Sequence, residues 1–217
     1  MGTMTFGRQN TLEEGVEQLA LAFDKYGVNF LDTAEMYPVP TTAESAGLTD
    51  KTVAAFLKTR KREDVILATK VSGTSDRINW LRGDGETFCK LNKEQIAYSI
   101  DASLKRLETD YIDLIQVHWP DRYVGGLFGQ PDYQISKETT EKDSSFEEQL
   151  TALNDAVKAG KVRAEKAHSL AAKALWMDIS TLLVGASRTR LDFVASRLHS
   201  ACPRYSSAIS DATNFSL

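Results

Sequence analysis

Cysteine is nearly absent from the chain. Cys89 and Cys202 are the only two, far apart and without CxxC or zinc-type spacing. That excludes a disulfide framework and a thiolate metal site, and leaves two free thiols in a reducing intracellular compartment, most simply the cytoplasm. No Asp/His/Cys spacing suggests any other metal. An excess of basic charge is also missing. The net charge is -4, and no basic run or aromatic–basic interleaving occurs, so nucleic acid is not an expected partner. No uninterrupted apolar stretch approaches the roughly 20 residues of a membrane span. No signal-peptide pattern opens the chain. Met1-Gly2 begins like a myristoylation site, but Phe6 stands where Ser or Thr is required.

What is present is a regular alternation of helical and extended segments. The stripe Val16, Leu19, Ala20 and Phe23 predicts a helix over 10–27, capped by Asn10 or Thr11 and ended by Gly27. A strand at 28–32 follows, then a loop with Pro38 and Pro40, a helix from about Leu48 to Thr59, and a strand at 65–71. The polar, glycine-bearing stretch 72–90 reads as a loop. Asn92 with Gln95 resembles a capping box for a third helix, whose inner face is Ile96, Ile100, Leu104 and Leu107. A strand at 111–117 leads to a long loop over 121–144, which either closes over a substrate or binds a partner. A fourth helix spans about 145–159, and Gly160 ends it. Lys161-Val162-Arg163 starts like a strand, but Ala164-Glu165-Lys166-Ala167 reads as helical. A further strand is expected at 181–185 and a helix at 189–198. His168 and His199 fall on expected helices and read as surface residues. Met4-Thr5-Phe6 is a possible remnant of one more strand.

Helix and strand in alternation argue for a parallel sheet with helical crossovers. Four polar residues then stand out. Asp32, Lys70 and His118 sit at or just past the ends of successive strands, and Tyr37 lies five residues beyond Asp32. Polar groups at the C-terminal ends of parallel strands converge on one rim of an α/β barrel, where such folds carry chemistry. A phenol, an ammonium, a carboxylate and an imidazole together make a proton-donating site.

The text around these residues resembles the aldo-keto reductase family, particularly its Tas-like branch. The resemblance rests on Gly2-Thr3-Met4-Thr5-Phe6-Gly7, Leu31-Asp32-Thr33-Ala34-Glu35-Met36-Tyr37-Pro38, Gly47-Leu48-Thr49 and Ala68-Thr69-Lys70-Val71-Ser72-Gly73. It continues through Ser103-Leu104-Lys105-Arg106-Leu107, Tyr111-Ile112-Asp113-Leu114 and Gln116-Val117-His118-Trp119-Pro120. It implies a β/α barrel that moves hydride between NADP(H) and a small carbonyl substrate, with Asp32, Tyr37, Lys70 and His118 as the catalytic tetrad. Tyr37 would donate a proton to the carbonyl oxygen, Lys70 would assist it by charge, Asp32 would hold Lys70, and His118 would orient the substrate. Trp119 would either line the substrate pocket or pack the barrel rim.

The resemblance is nearly unbroken over residues 1–163 and then departs. Residues 164–171 look like the family's penultimate helix, and 181–187 like its last strand and phosphate-side turn. The chain would therefore comprise the N-terminal part of the barrel (1–163), its C-terminal helix, last strand and following helix (164–199), and a tail (200–217). About three β/α units, on the order of 90 residues, would be absent. With them goes most of the nicotinamide cradle. Ser187, Arg188 and Arg190 would remain to grip the 2′-phosphate of NADP(H), with a solvated surface arginine as the alternative at Arg190. The expected fold is an incomplete (β/α) barrel. Its open sheet edges call for a protein partner or self-association. Two functional readings follow: an NADPH-dependent carbonyl reductase, or a non-catalytic descendant serving as a structural or interaction subunit.

Overall fold

The computed structural model describes residues 1–121, 135–137 and 144–167, the last three by their backbone alone. The chain alternates α1 (Leu12–Tyr26), β1 (Phe30–Asp32), α2 (Leu48–Leu57), β2 (Ile66–Val71), α3 (Lys93–Leu107), β3 (Ile112–Val117), α4 (Phe146–Lys158) and β4 (Val162–Ala167). The strands form one sheet in the order β1-β2-β3-β4, and every pairing is parallel. Each crossover is a helix, the pattern of part of a β/α barrel.

Local chemistry sets the helix ends. Thr11 caps α1 with a reciprocal box: its side chain accepts the Glu14 N–H, and Glu14 accepts the Thr11 N–H. Gly27 ends the helix at φ 66, a left-handed conformation natural to glycine. The stripe read from the sequence is the buried one: Leu19 is fully buried, with Val16, Ala20 and Phe23 packed beside it against Leu31, Val53, Phe56 and Leu67. The second helix is shorter than expected. It stops at Leu57, and the Thr59 N–H and hydroxyl both bond the Phe56 carbonyl. Asn92 caps α3 by accepting the Gln95 N–H, but the Gln95 side chain turns away from the cap to Lys90 and Arg82. A second core of Ile96, Ile100, Ile112, Ile115, Leu153 and Val162 joins α3 and α4 to β3 and β4.

Two expectations need correction. Residues 164–167, read as helical, extend β4, in register with β3 from Ile112↔Val162 to Val117↔Ala167. The helical preference of Ala, Glu and Lys is worth only a few tenths of a kcal/mol per residue, and a parallel ladder with Val162 buried beneath it outweighs that. The extra strand remnant is not at Met4–Phe6, which turn. It is a single parallel bridge at Gly2 to Asp32, flanked by bonds from the Thr3 N–H to the Asp32 carbonyl and from the Asp32 N–H to the Met1 carbonyl. The expected elements at 181–185 and 189–198, His168, His199, and Ser187, Arg188 and Arg190 all lie outside the described residues.

Candidate active site

The parallel register carries the strand ends to one rim. Asp32 closes β1, Lys70 is the penultimate residue of β2, and His118 follows β3 directly, its N–H bonded to the Val71 carbonyl at 2.8 Å. The loop after β1 returns Tyr37 to the same place, where it is buried.

The Lys70 ammonium is the hub. Its Nζ donates to Asp32 Oδ2 at 2.6 Å, to the Thr33 carbonyl at 2.9 Å and to Tyr37 Oη at 3.4 Å. Three donors meet three acceptors. Because the tyrosine oxygen accepts from Lys70, its own O–H is left to donate elsewhere. The His118 ring stands edge-on to Tyr37, with centroids 5.7 Å apart at 79°. Asp32, Tyr37, Lys70 and His118 thus lie together at this rim.

The sequence reading missed Gln116. Its Nε2 donates to Asp32 Oδ1 at 3.1 Å, so that the carboxylate takes Lys70 on one oxygen and Gln116 on the other. A signal was available: strand periodicity places Gln116 on the same face as the residue two further on, His118.

Also missed are two buried carboxylates beneath the rim loop. Glu35 Oε1 accepts the Ser72 N–H at 2.6 Å, while Oε2 accepts Arg82 Nη1 at 2.8 Å and the Ser99 hydroxyl at 2.5 Å. The side chains of Arg82 and Glu35 are only 3% and 0% exposed. Burial alone would push the Glu35 carboxyl up; the Arg82 charge and the three donors outweigh it and hold it below the ordinary value. Asp50 takes the Thr33 hydroxyl at 2.8 Å and Arg106 Nε at 2.9 Å, yet burial leaves its carboxyl above the ordinary aspartate value.

An apolar cluster of Ala34, Met36, Ile78, Leu81, Cys89 and Trp119 surrounds Tyr37. Trp119 is buried, and its indole N–H donates to the Thr74 carbonyl at 2.8 Å. Its closeness demands glycine at position 73, where an added Cβ would lie 2.1 Å from the Trp119 carbonyl oxygen and 2.4 Å from its Cδ1. Gly73→Ala is therefore expected to cost about 1–3 kcal/mol or more by overpacking. Urea denaturation would show it as a lowered midpoint at unchanged slope. Burial pushes the Cys89 thiol up to about 12. In a Cys202→Ser background Cys89 should resist iodoacetamide at pH 8 and react once urea unfolds the chain; rapid labelling of the folded protein would contradict this burial.

Among the described residues no group of three His, Cys, Asp or Glu side chains is placed to hold a metal ion. No helix among them is long and apolar enough to cross a membrane.

Comparison with known proteins gives consistent matches. The model of the aldo/keto reductase family matches residues 1–165. Protein tas of Escherichia coli (strain K12) is 42% identical over 165 residues, covering 75% of this chain and 45% of that protein. An aldo-keto reductase of Babesia bovis is 44% identical over 104 residues, 46% of this chain and 35% of its own. Among solved structures, the holo form of an aldo-keto reductase from Bacillus halodurans superposes with a TM-score of 0.52 at 27% identity, over 77% of this chain and 45% of that one. An aldo/keto reductase from Klebsiella pneumoniae in complex with NADP and acetate gives a TM-score of 0.54 at 23% identity, over 81% and 48%. At that identity the likeness is one of fold. The chain spans less than half the length of the curated relatives it matches.

Proposed function

The chain belongs to the aldo/keto reductase family, and from that premise we propose that it reduces a small carbonyl compound to an alcohol, taking the proton from Tyr37 and the hydride from NADPH. Its described residues form part of a (β/α) barrel of that family. The observation that carries the reading is the Lys70 ammonium, held at 2.6 Å by Asp32 and directed at Tyr37 Oη at 3.4 Å.

The donor set fits hydride chemistry on its proton side. Hydride addition to a carbonyl carbon leaves negative charge on the oxygen, and that charge needs a proton donor and fixed dipoles. Tyr37 supplies the proton from Oη. Lys70, anchored by Asp32 and the Thr33 carbonyl, steadies the charge left on the phenol oxygen. Gln116 occupies the other Asp32 oxygen and keeps that carboxylate turned toward Lys70. The His118 ring, beside Tyr37, orients the carbonyl oxygen. Bound NADPH would supply the hydride, with Ser187, Arg188 and Arg190 taking its 2′-phosphate. Trp119, next to His118, would border the substrate.

Among the described residues β4 pairs on one side only, with β3. That edge, unpaired among the described residues, supports a covering strand from a protein partner or a second copy, since exposed edges are normally paired or covered.

Binding comes before chemistry, so the first test is a titration with NADPH followed by tryptophan fluorescence. The reading expects saturable quenching. Absence of quenching in every oligomeric form of the pure protein would sink it and favour the non-catalytic alternative.

A further inference from the structure

We propose that Glu35 is a positioning residue for the Tyr37–Lys70 proton-donor pair: a buried carboxylate that fastens the loop carrying Tyr37 to the end of the strand carrying Lys70. The proposal rests on the catalytic reading of Tyr37 given above.

Tyr37 and Lys70 come from different segments, and the distance between Oη and Nζ depends on how those segments are joined. Glu35 lies between Asp32 and Tyr37 on the loop after β1. It makes two of the joints. Its backbone N–H donates to the Lys70 carbonyl at 3.2 Å, and its side-chain Oε1 accepts the Ser72 N–H at 2.6 Å. The strand is thus gripped at Lys70 and two residues beyond it. The other carboxylate oxygen is fixed from below by the Ser99 hydroxyl of α3 and by Arg82. Arg82 in turn is held by Gln95 of α3 at 2.8 Å. The rim loop, the end of β2 and the body of α3 therefore meet at one side chain.

The chemistry of the cluster separates positioning from catalysis. The carboxylate bonds to Ser72, Arg82 and Ser99 rather than to the tetrad. Its charge is matched by Arg82, so the pair is close to neutral seen from the rim. It acts through geometry. A buried carboxylate suits this task because it can accept several donors at once, and charge-assisted bonds are the strong ones.

Two variants test the proposal. Ser99→Ala removes one donor to Glu35 and leaves the ion pair. The double variant Glu35→Met/Arg82→Met replaces the buried pair by apolar chains of similar volume, an exchange that folded proteins often tolerate. The readout is NMR of protein labelled with 13Cζ-tyrosine, in which the Tyr37 resonance is the one that Tyr37→Phe removes. Circular dichroism confirms the fold, and the single variant carries the test if the double variant does not fold. The expected result is a displaced or broadened Tyr37 resonance, the tyrosines remote from the cluster unmoved (Tyr98, beside Ser99 and Arg82, is not a reference), and kcat lowered up to about 100-fold at unchanged KM, the scale of a small misplacement of reacting groups. A folded variant with the Tyr37 resonance in its wild-type position, or an unchanged kcat in an active protein, would overturn the proposal. Absence of carbonyl reduction in the wild-type protein would strike at the catalytic reading alone, and the Tyr37 resonance would still decide the positioning claim.

Discussion

Tyr37→Phe is expected to lower carbonyl reduction by about 10²–10⁴-fold, the usual contribution of a positioned general acid, and to leave the fold intact. The substitution deletes one oxygen. Lys70 keeps its bonds to Asp32 at 2.6 Å and to the Thr33 carbonyl at 2.9 Å, so no buried cation is stranded. The aromatic ring still fills its place in the cluster around Met36, Ile78 and Trp119. Thermal melts should therefore nearly coincide with those of the parent, while the turnover number falls and NADPH affinity holds. A variant that retained the parent rate would remove Tyr37 from the reaction.

Arg82→Ala is expected to be the most damaging change to stability, about 3–5 kcal/mol at neutral pH, because it leaves the buried Glu35 charge uncompensated. The pH dependence gives it a signature. In the parent, the Glu35 carboxyl is held below its ordinary value of 4.5. Its stabilising contribution is complete above that pH and is lost as the pH falls through the lowered value. Without Arg82 the largest influence left is burial, which raises the carboxyl. The variant should then lose stability as the pH rises above 4.5, and its deficit against the parent should shrink in acid. Urea unfolding of both proteins at pH 5 and pH 7 would show this. A deficit equal at the two pH values would contradict the account.

These effects also show where the sequence was informative. Asp32, Lys70 and His118 could be placed because each ends an apolar run of strand length, and a parallel sheet brings such ends to one rim. Asn92 was legible as a cap, and the cap of α1 was legible to within one residue, Asn10 or Thr11, because capping is local chemistry. The Glu35–Arg82 pair was not. Its members lie 47 positions apart, and in a sequence each looks like an ordinary solvated charge. Only the fold reveals that both are buried. Residues 164–167 failed for a related reason: their helical preference is local, while the ladder to β3 that overrides it is not. Gln116 lay within reach, since alternation along the strand pairs it with His118.

The central claim is that this rim delivers a proton to a carbonyl as hydride arrives at its carbon. The most direct measurement is a single turnover of the full chain with NADPH deuterated at C4 and an aromatic aldehyde as probe, the alcohol being analysed by mass spectrometry. The account predicts deuterium on the carbinol carbon with the parent protein and almost none with Tyr37→Phe. An aldehyde recovered unchanged beside protein that binds the nucleotide would contradict it.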